Sequence, residues 1–169
     1  MKLILQTPRL LLREMNHGDL DFMAEMLGDG DVMQYYPKTE DRAGAAANIQ
    51  RQMDRYAQWG YGPWLVMNKE TSQPIGRVGL IHQVVGGVSE VEVGYMIHRP
   101  FWRQGFAFEA AAACRDYAFS TFNRERVISL VRLENLPSQA VARKMGMQPE
   151  KETIHWNLRH IVFAMERPM

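Results

Sequence analysis

The chain has 169 residues, enough for one domain with a sizeable buried core. Its hydrophobic fraction is 46%, its charged fraction 23% and its formal net charge +1, an ordinary soluble composition that argues against a dedicated nucleic-acid binder. The single cysteine, Cys114, excludes an intrachain disulfide, a CxxC motif and a cysteine-based zinc site.

Arg9-Leu10-Leu11-Leu12-Arg13 reads as a first strand after Pro8. Asp19 opens a helical pattern with Leu20, Met23, Ala24, Met26 and Leu27 on one face, ended by Gly28-Asp29-Gly30. Val32 to Pro37 is an aromatic connector. A second helix starts at Thr39 or Asp41 and runs to Trp59 on an apolar stripe of Ala45, Ile49, Met53 and Tyr56; Gly60-Tyr61-Gly62-Pro63 breaks it. Trp64–Met67, Ile75–Gln83 and Val91–Ile97 form antiparallel strands joined by polar or glycine turns. A helix over Glu109–Phe122 crosses to a fifth strand, Arg126–Leu133, which a crossover makes parallel to the fourth. A short helix over Leu136–Met145 closes at Gly146, and two strands near Glu152–Trp156 and Ile161–Met165 finish the chain. There is no internal repeat, low-complexity segment or linker.

No apolar run of about 18 residues is present, so no membrane span is expected. The N-terminal residues lack the apolar core and cleavage site of a signal peptide, which points to a cytoplasmic protein. The twelve methionines are scattered with no spacing that implies a metal, and no metal is expected. Cys114 lies in an alanine-rich helix and reads as a packing residue.

The stretch Trp102-Arg103-Gln104-Gly105-Phe106-Ala107 joins a strand to a helix. Such a loop presents free backbone N–H groups to an anion, usually a phosphate. Gly105 lets the backbone come close to a ligand, and Arg103 adds a phosphate-directed charge. Taken alone, the loop also fits an ordinary strand-to-helix turn, the lesser of the two readings.

Following Glu90-Val91-Glu92-Val93-Gly94-Tyr95-Met96-Ile97-His98, this loop resembles the central signature of the GNAT superfamily of acetyl-CoA-dependent N-acetyltransferases. That signature, Arg/Gln-x-x-Gly-x-Gly/Ala, holds the pyrophosphate of coenzyme A. Gly105 and Ala107 fit its fourth and sixth places. Trp102 departs from the first place and is similar to the branch that includes ribosomal-protein N-terminal acetyltransferases. Thr7-Pro8-Arg9-Leu10 with Arg13, Ile75-Gly76-Arg77-Val78-Gly79-Leu80 and Lys144-Met145-Gly146-Met147 resemble the same branch.

The resemblance covers nearly the whole chain and implies a single domain over 1–169. It implies an α+β GNAT fold: a mostly antiparallel, twisted sheet of about seven strands with a splayed parallel pair, flanked by about four helices. It implies acetyl-CoA as co-substrate and a primary amine as acceptor, either a protein N-terminus or a small molecule. A homodimer is compatible with that branch.

The resemblance also assigns residues. Backbone groups of Met96, Ile97 and His98 pair with the pantetheine arm. Amides from Arg103 through Gln104, Gly105 and Phe106 to Ala107 hold the pyrophosphate. Asn135 and Ser138, in Asn135-Leu136-Pro137-Ser138, contact the pantetheine, although the same residues are ordinary helix-start chemistry. The place where relatives often carry a tyrosine acid is Ala142, which leaves Ser138 to stabilise or protonate the thiolate. Glu92 is the candidate base. Glu90 and Glu92 share one strand face: if it lines the cleft, burial raises the carboxyl pKa, and if it meets solvent both are merely solvated charges. His82 is the rival base. Tyr35, Tyr36 and Trp156, with His155 and Trp64, are candidates for the acceptor pocket, and Trp64 also reads as core. The competing reading is a CoA-binding module without transferase activity or with a regulatory role only.

Overall fold

In the computed structural model, which describes residues 2–169, the chain opens with a hairpin of β1 (Leu3–Gln6) and β2 (Leu10–Arg13). Thr7 closes the turn: its N–H donates to the Leu10 carbonyl at 2.9 Å and its Oγ1 accepts from the Leu10 N–H at 3.0 Å. β1 was not expected from the sequence. Four residues carry too short a pattern to read as a strand alone, and pairing with β2 makes them one. The sheet therefore has eight strands.

Asn16 and Asp19 form a capping box before α1 (Leu20–Gly28). Asp41, not Thr39, caps α2 (Arg42–Trp59), accepting from the Gly44 N–H at 2.8 Å; Gly60 ends the helix at φ +78°. Then come β3 (Pro63–Asn68), β4 (Pro74–Val85) and β5 (Val88–Ile97). The next helix, α3 (Phe106–Ser120), begins at Phe106 instead of Glu109, because Gly105 at φ +80° turns the chain straight into it. β6 (Arg126–Arg132), α4 (Leu136–Lys144), β7 (Gln148–His155) and β8 (Leu158–Glu166) complete the fold.

The strand order is β1-β2-β3-β4-β5-β6-β8-β7. Every neighbouring pair is antiparallel except β5 and β6, which are parallel. This is the expected crossover, carried by α3. One sheet face packs on α3 through Trp64, Val78, Val93, Ala110, Ala111, Cys114 and Ala118. The alanines and Cys114 let α3 lie close to the sheet, and burial raises the Cys114 thiol pKa, as befits a packing residue. The other face, with Leu65 and Met96, packs on α1 and α2. Strand alternation thus sends Arg77, Ile81, Glu92 and Met96 toward α1 and α2, and Val78, Val93 and Tyr95 toward α3. No helix among the described residues is long and apolar enough to cross a membrane.

Candidate active site

β5 and β6 share one register pair, Glu92 with Ile128, and then part. The His98 N–H donates to the Ile75 carbonyl of β4 at 2.8 Å. By the two-residue period, the backbones of Gly94 and Met96 also turn toward β4. From the other side, Ser129 Oγ donates to the Val93 carbonyl at 2.7 Å. The odd-numbered residues therefore turn their backbone toward β6, and past Glu92 no strand partner meets them. The N–H groups of Tyr95 and Ile97 face the resulting gap.

Of the three backbone positions expected there, Ile97 faces the gap. Met96 points its backbone to β4, although its side chain lines the cleft. His98 is corrected outright. Its carbonyl accepts from the Phe101 N–H at 3.0 Å, its ring packs edge-on to Phe22, and Nε2 lies 3.4 Å from a Glu25 carboxylate oxygen. It lies outside the cleft lining. The backbone of Tyr95 faces the gap instead.

The gap opens into a cleft of about 960 Å³ that runs between the two helix layers. At one end lies the 102–107 loop. Trp102 Nε1 donates to the Ile97 carbonyl at 2.7 Å, which ties the loop to the end of β5 and explains a tryptophan in that position. Arg103 and Gly105 both have positive φ, +62° and +80°. The amides of Phe106, Ala107 and Phe108 are the first of α3, and the first intrahelical bond runs from Glu109 N–H to the Gly105 carbonyl at 3.1 Å. A Cβ on Gly105 would meet Arg9 Nη2 at 3.3 Å. Arg103, Gly105, Phe106 and Ala107 line the cleft. Gln104 does not: it turns outward, and its carbonyl accepts from Arg9 Nη1 at 2.9 Å.

Glu109, whose chemistry the sequence left unassigned, anchors this loop from behind. It accepts from Thr7 Oγ1 at 2.6 Å, from the Arg9 N–H at 2.9 Å and from Arg9 Nε at 2.6 Å. A carboxylate in the first turn of a helix also suits the helix dipole.

Along the middle of the cleft, Asn135 caps α4 and accepts from the Ser138 N–H at 3.1 Å. This commits Asn135 Oδ1 and leaves its amide nitrogen as the donor. Tyr95 Oη donates to the Ser138 carbonyl at 2.6 Å, and burial raises the phenol's pKa. The Tyr95 hydroxyl and Ser138 are thus neighbours. Ala142 is fully buried in the core.

Glu92 lines the cleft and is 8% exposed. Oε1 accepts from Gln83 Nε2 at 2.9 Å and Oε2 accepts from the Leu130 N–H at 3.1 Å. Burial raises its pKa, against the pull of those two donors and the charge of Arg55. Glu90, on the same face, pairs instead with Arg126 at 3.0 Å. The rival base, His82, stacks on Trp59 with ring centroids 3.8 Å apart and does not line the cleft.

The far end gathers Tyr35, Tyr36, His155 and Trp156. Tyr36 packs on Trp156 at 5.5 Å, and the Tyr35 carbonyl accepts from Arg132 Nη1 at 3.0 Å. Burial and the nearby His160 push the His155 pKa down to about 4. Trp64 is fully buried in the core. The sequence reading missed Arg77, Asn48, Gln52 and Arg55, which form the wall opposite. Asn48 and Gln52 sit four apart beside the apolar stripe of α2, and that polar pair on a buried flank was the available signal.

Residues 9–148 match the acetyltransferase (GNAT) domain family. The chain belongs to this family. As a GNAT protein it is an acetyltransferase, with the splayed parallel pair lying where the sequence places it. The Bacillus subtilis protein YkkB is 33% identical over 162 residues, covering 90% of each chain. The uncharacterized N-acetyltransferase p20 of Bacillus licheniformis is 33% identical over 150 residues, covering 86% of this chain and 83% of its own. Among solved structures, a putative ribosomal-protein-serine acetyltransferase from Vibrio cholerae superposes with a TM-score of 0.83 at 22% identity, covering 99% of this chain and 100% of its own. That likeness is one of fold.

Proposed function

We propose that the protein transfers the acetyl group of acetyl-CoA to a primary amine, by direct attack in a ternary complex. The observation that carries this is the gap between β5 and β6, lined by the N–H groups of Tyr95 and Ile97 and ending at the free amides of α3. A long ligand with an amide-bearing arm and a phosphate end fits that sequence of donors. Gly105 holds the loop in a left-handed conformation at φ +80° that a side chain would strain.

In this reading, amides from Arg103 to Ala107 hold the pyrophosphate, with Gln104 contributing main chain only. The Asn135 amide nitrogen and the Tyr95 and Ile97 N–H groups hold the arm, and one of those N–H groups polarises the thioester carbonyl. Acetyl-CoA supplies the activated acetyl thioester. Glu92, deprotonated, accepts the proton of the attacking amine, directly or through water. Ser138 and the Tyr95 hydroxyl lie where the departing sulfur is stabilised or protonated. Tyr35, Tyr36 and Trp156 border the acceptor, which is a protein N-terminus or a small amine.

Calorimetric titration with acetyl-CoA tests the reading, with Gly105→Glu as the control that strains the loop at φ +80° and adds a negative charge beside its amides. Micromolar binding by the native protein, lost in the variant, is expected. No binding by the native protein overturns it. Binding without turnover of any amine returns the chain to a CoA-binding module.

A further inference from the structure

The wall of the cleft formed by α2 and β4 holds three arginines, Arg51, Arg55 and Arg77, and none has a carboxylate within salt-bridge distance among the described residues. Most arginines elsewhere are matched, among them Arg9 with Glu109, Arg13 with Asp19, Arg126 with Glu90 and Arg159 with Glu152. The chain as a whole is nearly neutral, so this wall is a local imbalance.

The wall is also built. Arg77 Nη1 donates to Asn48 Oδ1 at 2.7 Å, Gln52 Nε2 donates to the same oxygen at 2.9 Å, and Arg55 Nη1 donates to Gln52 Oε1 at 2.7 Å. Asn48 is 7% exposed and Gln52 1%. Two neutral amides therefore fix two guanidiniums while neutralising neither. Both amide oxygens are used, and most of the five N–H donors on each guanidinium remain. Burial lowers the Arg77 pKa, and Arg55 and Arg51 add to it against the pull of Tyr36. Glu92 is close enough to favour the charged form of Arg55, but it makes no salt bridge with any of the three, and its two oxygens accept from Gln83 and Leu130. Three cationic groups brought together on one wall of a cleft make a local positive field that an anion entering the cleft would join.

We propose that the acceptor amine also carries a carboxylate, and that Arg77 and Arg55, with Arg51 at the rim, bind it. This rests on the transferase reading above. The planar forks of the guanidiniums suit a carboxylate, which can take paired hydrogen bonds. The same positive wall disfavours an ammonium group near it, which helps deliver the amine neutral to Glu92. Polycationic amines are repelled.

The test compares carboxylates with their own amides. Acetyl transfer from acetyl-CoA is followed for free amino acids against amino-acid amides, for peptides with an acidic against a neutral second residue, and for spermidine. In parallel, N-acetyl amino acids and their amides are titrated into the protein by calorimetry, a readout that needs no turnover. We expect the carboxylate partner of each pair to bind or react at least about tenfold better. The free amino acids and the acidic peptides separate the two sources of the carboxylate. Arg77→Gln and the more peripheral Arg55→Gln, each checked for an unchanged melting profile, are expected to collapse that ratio while acetyl-CoA binding stays normal. Amides as good as acids in both assays, a preference for spermidine, or an equal loss on both partners in the variants overturns the proposal. Failure to bind acetyl-CoA instead sinks the transferase reading.

Discussion

The Glu92 carboxylate accepts the Leu130 backbone N–H at 3.1 Å, at the point where β5 and β6 separate. A side chain thus takes a β6 donor that a continued parallel ladder would use. The residue that marks the end of strand pairing is the one proposed as the base in the cleft that the separation opens.

Burial raises the Glu92 pKa, so kcat/KM is expected to fall as pH drops through a value above the ordinary glutamate range. Glu92→Gln should lower kcat by about a hundredfold or more and abolish that acidic limb. The stability effect has the opposite sense. A carboxyl whose folded pKa is raised stabilises the fold most while protonated, and that contribution is lost as pH rises from the unfolded value through the folded one. Glu92→Gln is therefore expected to melt higher than the native protein at neutral pH, with the gap closing in acid. Melting curves against pH check this; a neutral-pH loss of stability in the variant would count against a buried, strained carboxylate.

Glu109 behaves in the reverse way. Burial would raise its pKa, but the Thr7 hydroxyl, the Arg9 N–H and the Arg9 guanidinium together hold it below the ordinary range. Its contribution to stability is present above the unfolded carboxyl pKa and is lost as pH falls through the depressed folded value. Thr7→Val removes one donor and is expected to cost about 1 kcal/mol. Glu109→Gln should also raise the KM for acetyl-CoA, because Arg9 bridges Glu109 and the Gln104 carbonyl of the loop. Denaturant melts and acetyl-CoA saturation curves measure the two effects separately.

Most of the fold was legible because its signals are local. The apolar stripe of α2, the glycine at its end and the 102–107 loop each follow from a few adjacent residues. What escaped needs distant partners. β1 is a strand only beside β2. His98 follows Ile97 in the chain, but alternation turns its backbone the other way. Gln104 lies inside the signature loop yet faces outward to Arg9. The wall of Arg77, Asn48, Gln52 and Arg55 joins β4 to α2 across residues far apart in sequence, and no spacing rule brings those four together.

Tyr95 and Ser138 divide the remaining proton question. The phenol stays protonated through the neutral range because burial raises its pKa, and its hydroxyl lies 2.6 Å from the Ser138 carbonyl. Tyr95→Phe removes a protonated hydroxyl donor beside Ser138 and is expected to lower kcat by about tenfold or more with little change in the KM for acetyl-CoA. Ser138→Ala should have the smaller effect. A phenylalanine variant with native turnover, beside a slow Ser138→Ala, would assign the proton to Ser138 instead.

Trp156 sits at the tip of the β7–β8 hairpin, in a two-residue turn with Asn157. Both have positive φ, +55° and +59°. Such turns favour Asn-Gly, and a tryptophan in the left-handed region costs roughly 1–2 kcal/mol. In return the turn aims the indole at Tyr36 and His155, with ring centroids 5.5 and 4.2 Å away, at the end of the cleft proposed for the acceptor. Half of the side chain remains exposed, 50%, so core packing does not account for it. Trp156→Asn therefore relaxes the turn and strips the cleft mouth of its largest apolar surface. The variant is expected to melt at the native temperature or slightly above it, bind acetyl-CoA normally and show a raised KM for the acceptor. Because the proposed function places the two substrates at opposite ends of the cleft, their KM values should separate. An equal rise in both would mean that Trp156 supports the cleft as a whole instead of bordering the acceptor.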